Sequence, residues 1–296
     1  MMKAIAAGAI GAFTGAYYTG SADTAASSSG VQCAKVMPEP PLSPSEFRPF
    51  VLMNVYDESP DTKVFRFAFP DGNQDLNMQL CSCVAFKFAD KDGKDVIRPY
   101  TPISRPDSKG YFEFCIKNYK DSKMGSHLWA LKIGDTIDIK GPFVKWAYKP
   151  GQYKTYGFIA AGTGITPMFQ FLRELVKEKA EPEISLIYAN RRKEDVLLGY
   201  ELNTLMKQQR NFSPYYLLSE PPASWMGGIG HVSKEMIKAF MPPPSRKDGM
   251  LFVCGPPKFM DAICGDKNFS TQPPSQGDLK GLLKELGYAP SQVFKF

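Results

Sequence analysis

Residues 156–175 read YGFIAAGTGITPMFQFLREL. The opening YGFIAAG is an apolar run of the length and composition of a buried strand. Beyond Gly164, apolar residues recur at Phe169, Leu172 and Val176 and again at Met168, Phe171 and Leu175, which is helical spacing. The stretch is therefore strand, glycine turn, helix. Gly162 and Gly164, with Thr163 between them, let backbone N–H groups approach a phosphate, and the N-terminus of the following helix favours the anion. Pro167 is expected at the first helical position, where its missing N–H costs nothing. A Gly-x-Gly without a third glycine describes a plain tight turn equally well.

Downstream, EISLIYA (183–189), YYLLS (215–219) and MLFVCG (250–255) are further strands, with helical stretches near Tyr200–Gln209 and Ser233–Phe240. Alternating β and α predicts a parallel sheet covered by helices, whose ligands bind outside the carboxyl ends of the strands. CGPPKFM (254–260) stands at such an end; taken alone, Cys254 there reads as a small buried thiol before a Gly-Pro turn. Upstream the period is two. FVLMNVY (50–56), KVFRFAF (63–69), CVAFKFA (83–89), YFEFCIK (111–117) and DTIDIKG (135–141) predict an antiparallel sheet or barrel. One helical interruption lies near Ser126–Leu131. RPYTPIS (98–104) is a polar insert between two strands, held extended by its prolines. The predicted fold is thus an antiparallel β-barrel domain over 47–153 followed by an α/β parallel-sheet nucleotide-binding domain over 154–296.

The chain has 296 residues, 43% hydrophobic and 13% aromatic, enough to give each half a core. Its net charge of +6 is mild. The basic run Arg191-Arg192-Lys193 meets Glu194 and Asp195 at once, the mark of a solvated loop rather than a nucleic-acid surface. Mild basicity suits an acidic protein partner. The six cysteines form no CxxC and match no plant-type iron–sulfur spacing, so reduced thiols in a cytosol-like compartment are expected, and no metal site. Cys81 and Cys83 are expected on opposite sides of one strand. With only His127 and His231, a bis-histidine haem belongs in another protein.

From Ala4 to Ala22 there is no charge. A membrane span needs about 20 apolar residues; this run reaches that length only through Gly, Ala, Thr and Ser. Signal anchor, cleaved secretory signal and mitochondrial presequence compete. The absence of arginine speaks against the last and reduced thiols against the second. We take residues 1–22 as an anchor or targeting segment and the Ser-, Ala- and Pro-rich residues 23–46 as a flexible linker.

RPYTPIS, GTGITPM and CGPPKFM, in this order, resemble the ferredoxin–NADP reductase superfamily and, within it, the NADH–cytochrome b5 reductase family. KMGSHLWALKIGDTIDIKGP (123–142) and LGYAPSQVFKF (286–296) resemble its fungal-type mitochondrial members. The resemblance runs from about Phe47 to Phe296. It implies FAD on the barrel and NADH on the α/β domain. Arg98, beside Pro99, would pair with the pyrophosphate, as a guanidinium fork suits two phosphates. Tyr100 would lie against the isoalloxazine, and the Thr101 hydroxyl would reach the reactive flavin nitrogen. Cys115, Lys117 and Tyr119 would line the flavin site. Backbone N–H groups of Lys123, Met124, Gly125 and Ser126 would face the pyrophosphate. Gly125 departs from the animal pattern, where serine is usual, and Asp121-Ser122 replace glycines; the hydroxyl contact passes to Ser126 or is lost. Thr166 would touch the flavin across the cleft. Gly162, Thr163, Gly164 and Pro167, with Gly255, Pro256, Pro257 and Met260, would hold NADH. Cys254 would sit beside the nicotinamide, and the Phe296 ring where the nicotinamide stacks.

The implied reaction is hydride transfer from NADH to FAD, then single-electron steps to cytochrome b5 or a similar acidic haem protein. The implied state is a monomer anchored in a membrane and facing the cytosol, the mitochondrial outer membrane first and the endoplasmic reticulum second. In LLSEPP (217–222) Glu220 stands where NADPH enzymes of the superfamily commonly place arginine. Its carboxylate would repel a 2′-phosphate and could bond a ribose hydroxyl, favouring NADH, although Arg191 and Arg192 nearby pull the other way. The acceptor would dock on Lys123, Lys145, Lys149 and Lys154. Two rival readings are a ferredoxin- or flavodoxin-type reductase (or the reductase fragment of a larger haem enzyme) and a membrane-tethered, flavin-free binding module.

Overall fold

The computed structural model describes residues 39–296 apart from 179, 180 and 272. The expected anchor and the start of the linker lie outside the described residues. No helix among the described residues is long and apolar enough to cross a membrane.

Strands β1 (Arg48–Ser59), β2 (Thr62–Ala68), β3 (Ser82–Ala89), β4 (Asp95–Tyr100), β5 (Tyr111–Lys117) and β6 (Thr136–Val144) pair antiparallel in the order β4-β3-β6-β1-β2-β5. The barrel is open, because β4 and β5 share no ladder. Alternate residues point inward and close a core of edge-packed rings: Phe86 and Phe114 lie 4.8 Å apart, and Phe50 and Phe112 4.9 Å. Packing begins ahead of Phe47. Leu42 is buried in this core, and Ser43 O accepts a 2.9 Å bond from Gly141 N.

The polar insert of the sequence reading is in fact half strand. Residues 95–100 form the edge strand β4, with Arg98 opposite Phe86 and Tyr100 opposite Val84. Only Val96 of this strand is buried, so no alternation showed. Pro99 is tolerated because an edge strand has an unpaired side. Helix α1 (Lys123–Ala130) follows β5 and starts at Ser122, whose Oγ accepts from Gly125 N.

The second sheet is wholly parallel, in the order β10-β9-β8-β7-β11-β12, from β7 (Thr155–Ala161), β8 (Glu183–Asn190), β9 (Phe212–Leu218), β10 (Gly228–Ile229), β11 (Gly249–Cys254) and β12 (Val293–Lys295). Its helices are α2 (Ile165–Leu175), α3 (Gly199–Gln208), α4 (Lys234–Phe240), α5 (Pro257–Ile263) and α6 (Gly281–Glu285). A 3-10 turn, Gly162–Gly164, precedes α2. Pro167 is therefore the third helical residue, not the first; it still lies in the first turn, whose N–H groups have no intrahelical acceptor.

Both apolar rows of α2 are buried. A helix covered on nearly all sides needs partners on both. One is the parallel sheet, through Phe158 and Phe252 around Phe171. The other is the barrel: Gln170 Oε1 accepts from Ser82 N at 3.2 Å, and Arg173 Nη2 donates to Ser104 O at 2.6 Å. Ser104 is thereby an interdomain fastener, its Oγ also accepting from Glu113 N.

The described cysteines are free and, Cys254 apart, buried. Cys81 lies before β3 in left-handed backbone, so strand alternation does not govern it. On β12, Lys295 is 2% exposed, and among the described residues its ammonium has only carbonyl partners, donating to Asp278 O at 2.8 Å and Asp266 O at 3.2 Å. Burial pushes its ammonium below the ordinary lysine value.

Candidate active site

The two tips predicted on the parallel sheet touch. β7 and β11 are neighbours, with Ala160 opposite Cys254. A Cβ added at Gly164 would collide with the carbonyl of Cys254 and lie 2.8 Å from Gly255 N. No side chain fits there without moving backbone, so the glycine serves close approach of the two loops. At Gly255 an added Cβ would meet the Phe259 ring at 2.5 Å and Ala161 Cβ at 3.1 Å. Tyr188, which no motif marked, holds this corner from beneath: its buried hydroxyl donates to Gly162 O at 3.1 Å and accepts from Leu197 N at 3.2 Å.

Cys254 is half-buried at the carboxyl end of β11. Burial pushes its thiol up to about 12, so it stays a neutral thiol at physiological pH. Phe296 donates its N–H to Val253 O at 3.0 Å beside the carboxyl end of β11, and its ring stacks on Phe252 at 5.7 Å. Pro256 is the N-cap of α5 and Pro257 its first residue. Met260 faces the other way. It is buried in the apolar cluster on the far face of the sheet with Ile263 and Val253, and is core rather than crevice.

On the barrel, Arg98 projects from the edge strand into solvent. Among the described residues, the only hydrogen bond of its side chain is to its neighbour's carbonyl, Ile97 O, and no carboxylate pairs with it. Tyr100 packs edge-on against Phe86 at 4.9 Å, and burial pushes its hydroxyl up to about 12. Thr101 follows directly, half-buried. Cys115 does not line an open site: it is buried among residues of both sheets, on the opposite side of β5 from the barrel core. The Met124 side chain is likewise barrel core, which leaves only its backbone for a ligand. Gly125 leaves room for the side chains of Asn118 and Ser122. A side chain there would collide with Asn118 Oδ1 and reach Ser122 Oγ at 3.0 Å. Asp121 adopts φ 65°, a conformation that aspartate tolerates better than most side chains, so the missing glycine is accommodated. Ser122 spends its hydroxyl on the helix cap and Ser126 is exposed.

Barrel and sheet meet at this corner. Tyr119 Oη lies 2.9 Å from Thr163 Oγ1 of the glycine turn. Thr166 is buried and donates to Thr163 O. Lys117 does not stand free: its ammonium pairs with Asp61 at 2.8 Å and, across the crevice, with Asp195 at 3.3 Å. Those acids hold Lys117 above its ordinary value against the opposing effect of burial, the largest single influence. Among the described residues, Asn118 Oδ1 and both polar atoms of Asn190, at the end of β8, are buried with no partner at hydrogen-bond geometry. The sequence offered no signal for either.

Glu220 is clamped by both neighbouring arginines, Arg191 Nε at 2.6 Å and Arg192 Nε at 2.9 Å. Their hydrogen bonds hold its carboxyl below the ordinary value. A cleft of about 430 Å³ opens beside it, lined by Lys193, Tyr216, Pro222 and Trp225 among others.

Two known domains match the chain: an oxidoreductase FAD-binding domain over residues 49–148 and an oxidoreductase NAD-binding domain over residues 158–265. An NADH-cytochrome b5 reductase-like protein of Arabidopsis thaliana is 41% identical over 265 residues, 88% of this chain and 79% of the relative. NADH-cytochrome b5 reductase 2 of Aspergillus niger is 41% identical over 238 residues, 80% of this chain and 73% of the relative. Among solved structures, the cytochrome b5 reductase domain of Ulva prolifera nitrate reductase superposes with a TM-score of 0.74 at 25% identity, covering 87% of this chain and 99% of that one. The chain belongs to the NADH–cytochrome b5 reductase family.

Proposed function

We propose that the protein takes hydride from NADH onto a bound FAD and passes the electrons singly to cytochrome b5. The observation that carries this is the 2.9 Å contact of Tyr119 with Thr163, which brings the barrel's ligand face against the glycine turn of the parallel sheet. The residues fit both groups. Among the described residues, Arg98 has no acidic partner and Asn118 and Asn190 offer unpartnered polar atoms, while Gly164 and Gly255 keep the two loops free of side chains.

FAD, when bound, supplies the hydride-accepting ring and the change from two-electron to one-electron transfer. The chain positions and shields. Arg98 and the N–H groups opening α1 would hold the pyrophosphate, Tyr100 and Thr101 the ring, and Thr166 its far side. Gly162–Gly164 and Gly255–Pro257 would hold the coenzyme, with the cleft at Trp225 taking its adenine. The Phe296 ring and the neutral Cys254 thiol would cover the reacting face and exclude water. Neither needs to exchange a proton.

For the acceptor, Lys145, Lys149 and Lys154 are exposed with no acidic partner among the described residues, whereas Lys123 is paired with Asp90 at 2.6 Å. The first three are the stronger docking candidates for an acidic haem protein. The uncharged run 4–22 supports membrane anchoring, with the mitochondrial outer membrane proposed, and a monomer is the proposed state.

The purified protein should be yellow and be bleached by NADH under anaerobic conditions. Its reduction of cytochrome b5 should slow about tenfold as the Debye length shrinks from roughly 30 Å to roughly 8 Å. A colourless protein that takes up no FAD would favour a binding module. A bleachable protein indifferent to cytochrome b5 would favour another reductase class.

A further inference from the structure

Residues 191–198 connect β8 to α3 and contain only a 3-10 turn, Lys193–Asp195. The segment opens on the two arginines that clamp Glu220 and ends on Leu198, whose backbone is left-handed at φ 55° and ψ 28°. That conformation is unfavourable for a branched residue and persists only where its surroundings fix it. Leu198 is also the N-cap of α3 and offers no capping side chain. Its own N–H instead donates to Glu58 Oε1 at 2.7 Å, and Glu58 lies on the barrel. A second barrel tie reaches the middle of the segment, from Lys117 to Asp195, and Asp195 in turn accepts from Arg192 N at 3.0 Å. The loop that sets the arginines around Glu220 is thus tied from both domains: Glu58 and Lys117 hold it from the barrel, while within its own domain Leu197 N donates to Tyr188 Oη at 3.2 Å and Glu220 N donates to Arg191 O at 2.8 Å.

We propose that Glu58 is a positioning residue for coenzyme selection: by accepting from Leu198 N–H it holds, from the barrel, the loop whose Arg191–Arg192 pair orients Glu220. The inference rests on the reading of Glu220 as the group that meets the coenzyme's ribose. Glu58 touches neither coenzyme nor flavin, so its loss should act on binding and selectivity and leave the chemical step alone.

The test compares Glu58→Ala with Glu58→Gln in the flavin-loaded enzyme, with ferricyanide as acceptor. Losing one charge-assisted hydrogen bond should raise KM for NADH about fivefold to tenfold in Glu58→Ala, with kcat within about twofold. The NADH-to-NADPH ratio of kcat/KM should fall by a similar factor, because freed arginines can turn to a 2′-phosphate. NAD⁺ binding by equilibrium titration should weaken in parallel, with FAD content and Tm unchanged. Glu58→Gln keeps an acceptor for Leu198 N–H and should restore KM and the ratio. An unmoved KM and ratio in Glu58→Ala, a fall in kcat at constant KM, or a glutamine that fails to restore would each overturn the role. A parent enzyme without NADH preference would instead overturn the Glu220 reading.

Discussion

Arg98→Ala is expected to give a folded protein that purifies nearly colourless and binds FAD on the order of 10²-fold more weakly. The expectation follows from what the side chain does not do. Arg98 is exposed on an edge strand, bonds only its neighbour's carbonyl and pairs with no described carboxylate. The fold loses little without it, so Tm of the flavin-free protein should hold. Its guanidinium is available for two phosphate oxygens, and Arg98→Lys, which keeps the charge but loses the fork, should recover only part of the affinity. Titration of flavin-free protein with FAD checks this. Undiminished affinity in Arg98→Ala would place the pyrophosphate elsewhere.

Glu220→Ala should convert a coenzyme-selective enzyme into a tolerant one. In the parent both arginines are spent on Glu220. Removing the carboxylate leaves two guanidinium groups where a 2′-phosphate would lie, and both suit it geometrically. NADPH kcat/KM should rise about tenfold or more, while NADH falls by a few-fold for want of the ribose contact. Steady-state kinetics with each coenzyme, at low and high salt, decides the matter. If NADPH remains excluded, the discrimination does not lie at Glu220.

Periodicity made most of the architecture legible. Five of six barrel strands alternate strongly enough to be read directly, and the strand–turn–helix of residues 156–175 fixed the second domain. β4 escaped because a single inward residue, Val96, cannot alternate with anything. β10, β12 and α6 are too short for a period, and α5 opens directly on the Pro256-Pro257 turn. Of the candidate site, the glycine turn was legible at Gly164, where the Cys254 carbonyl and Gly255 N leave no room for a side chain. The sequence misled where a position was inferred from nearness to a motif. Met260 and Cys115 sit beside the right residues but face the core, since a helix or strand presents neighbours to opposite sides, whereas Met124 is a candidate for its backbone N–H alone, which its buried side chain leaves in place. Tyr188, Glu58 and Asn190 were invisible because their partners are remote in the chain or, for Asn190, absent among the described residues.

Lys295 has a chemical consequence. An ammonium shut between two carbonyls, 2% exposed, is out of reach of acylating reagents while the segment around Asp266 and Asp278 stays closed. Modification requires that segment to lift away. The same stretch carries Lys267, whose ammonium stands 5.8 Å from the Phe294 ring. The rate at which Lys295 becomes labelled is therefore a clock for local opening, built into the last strand of the sheet.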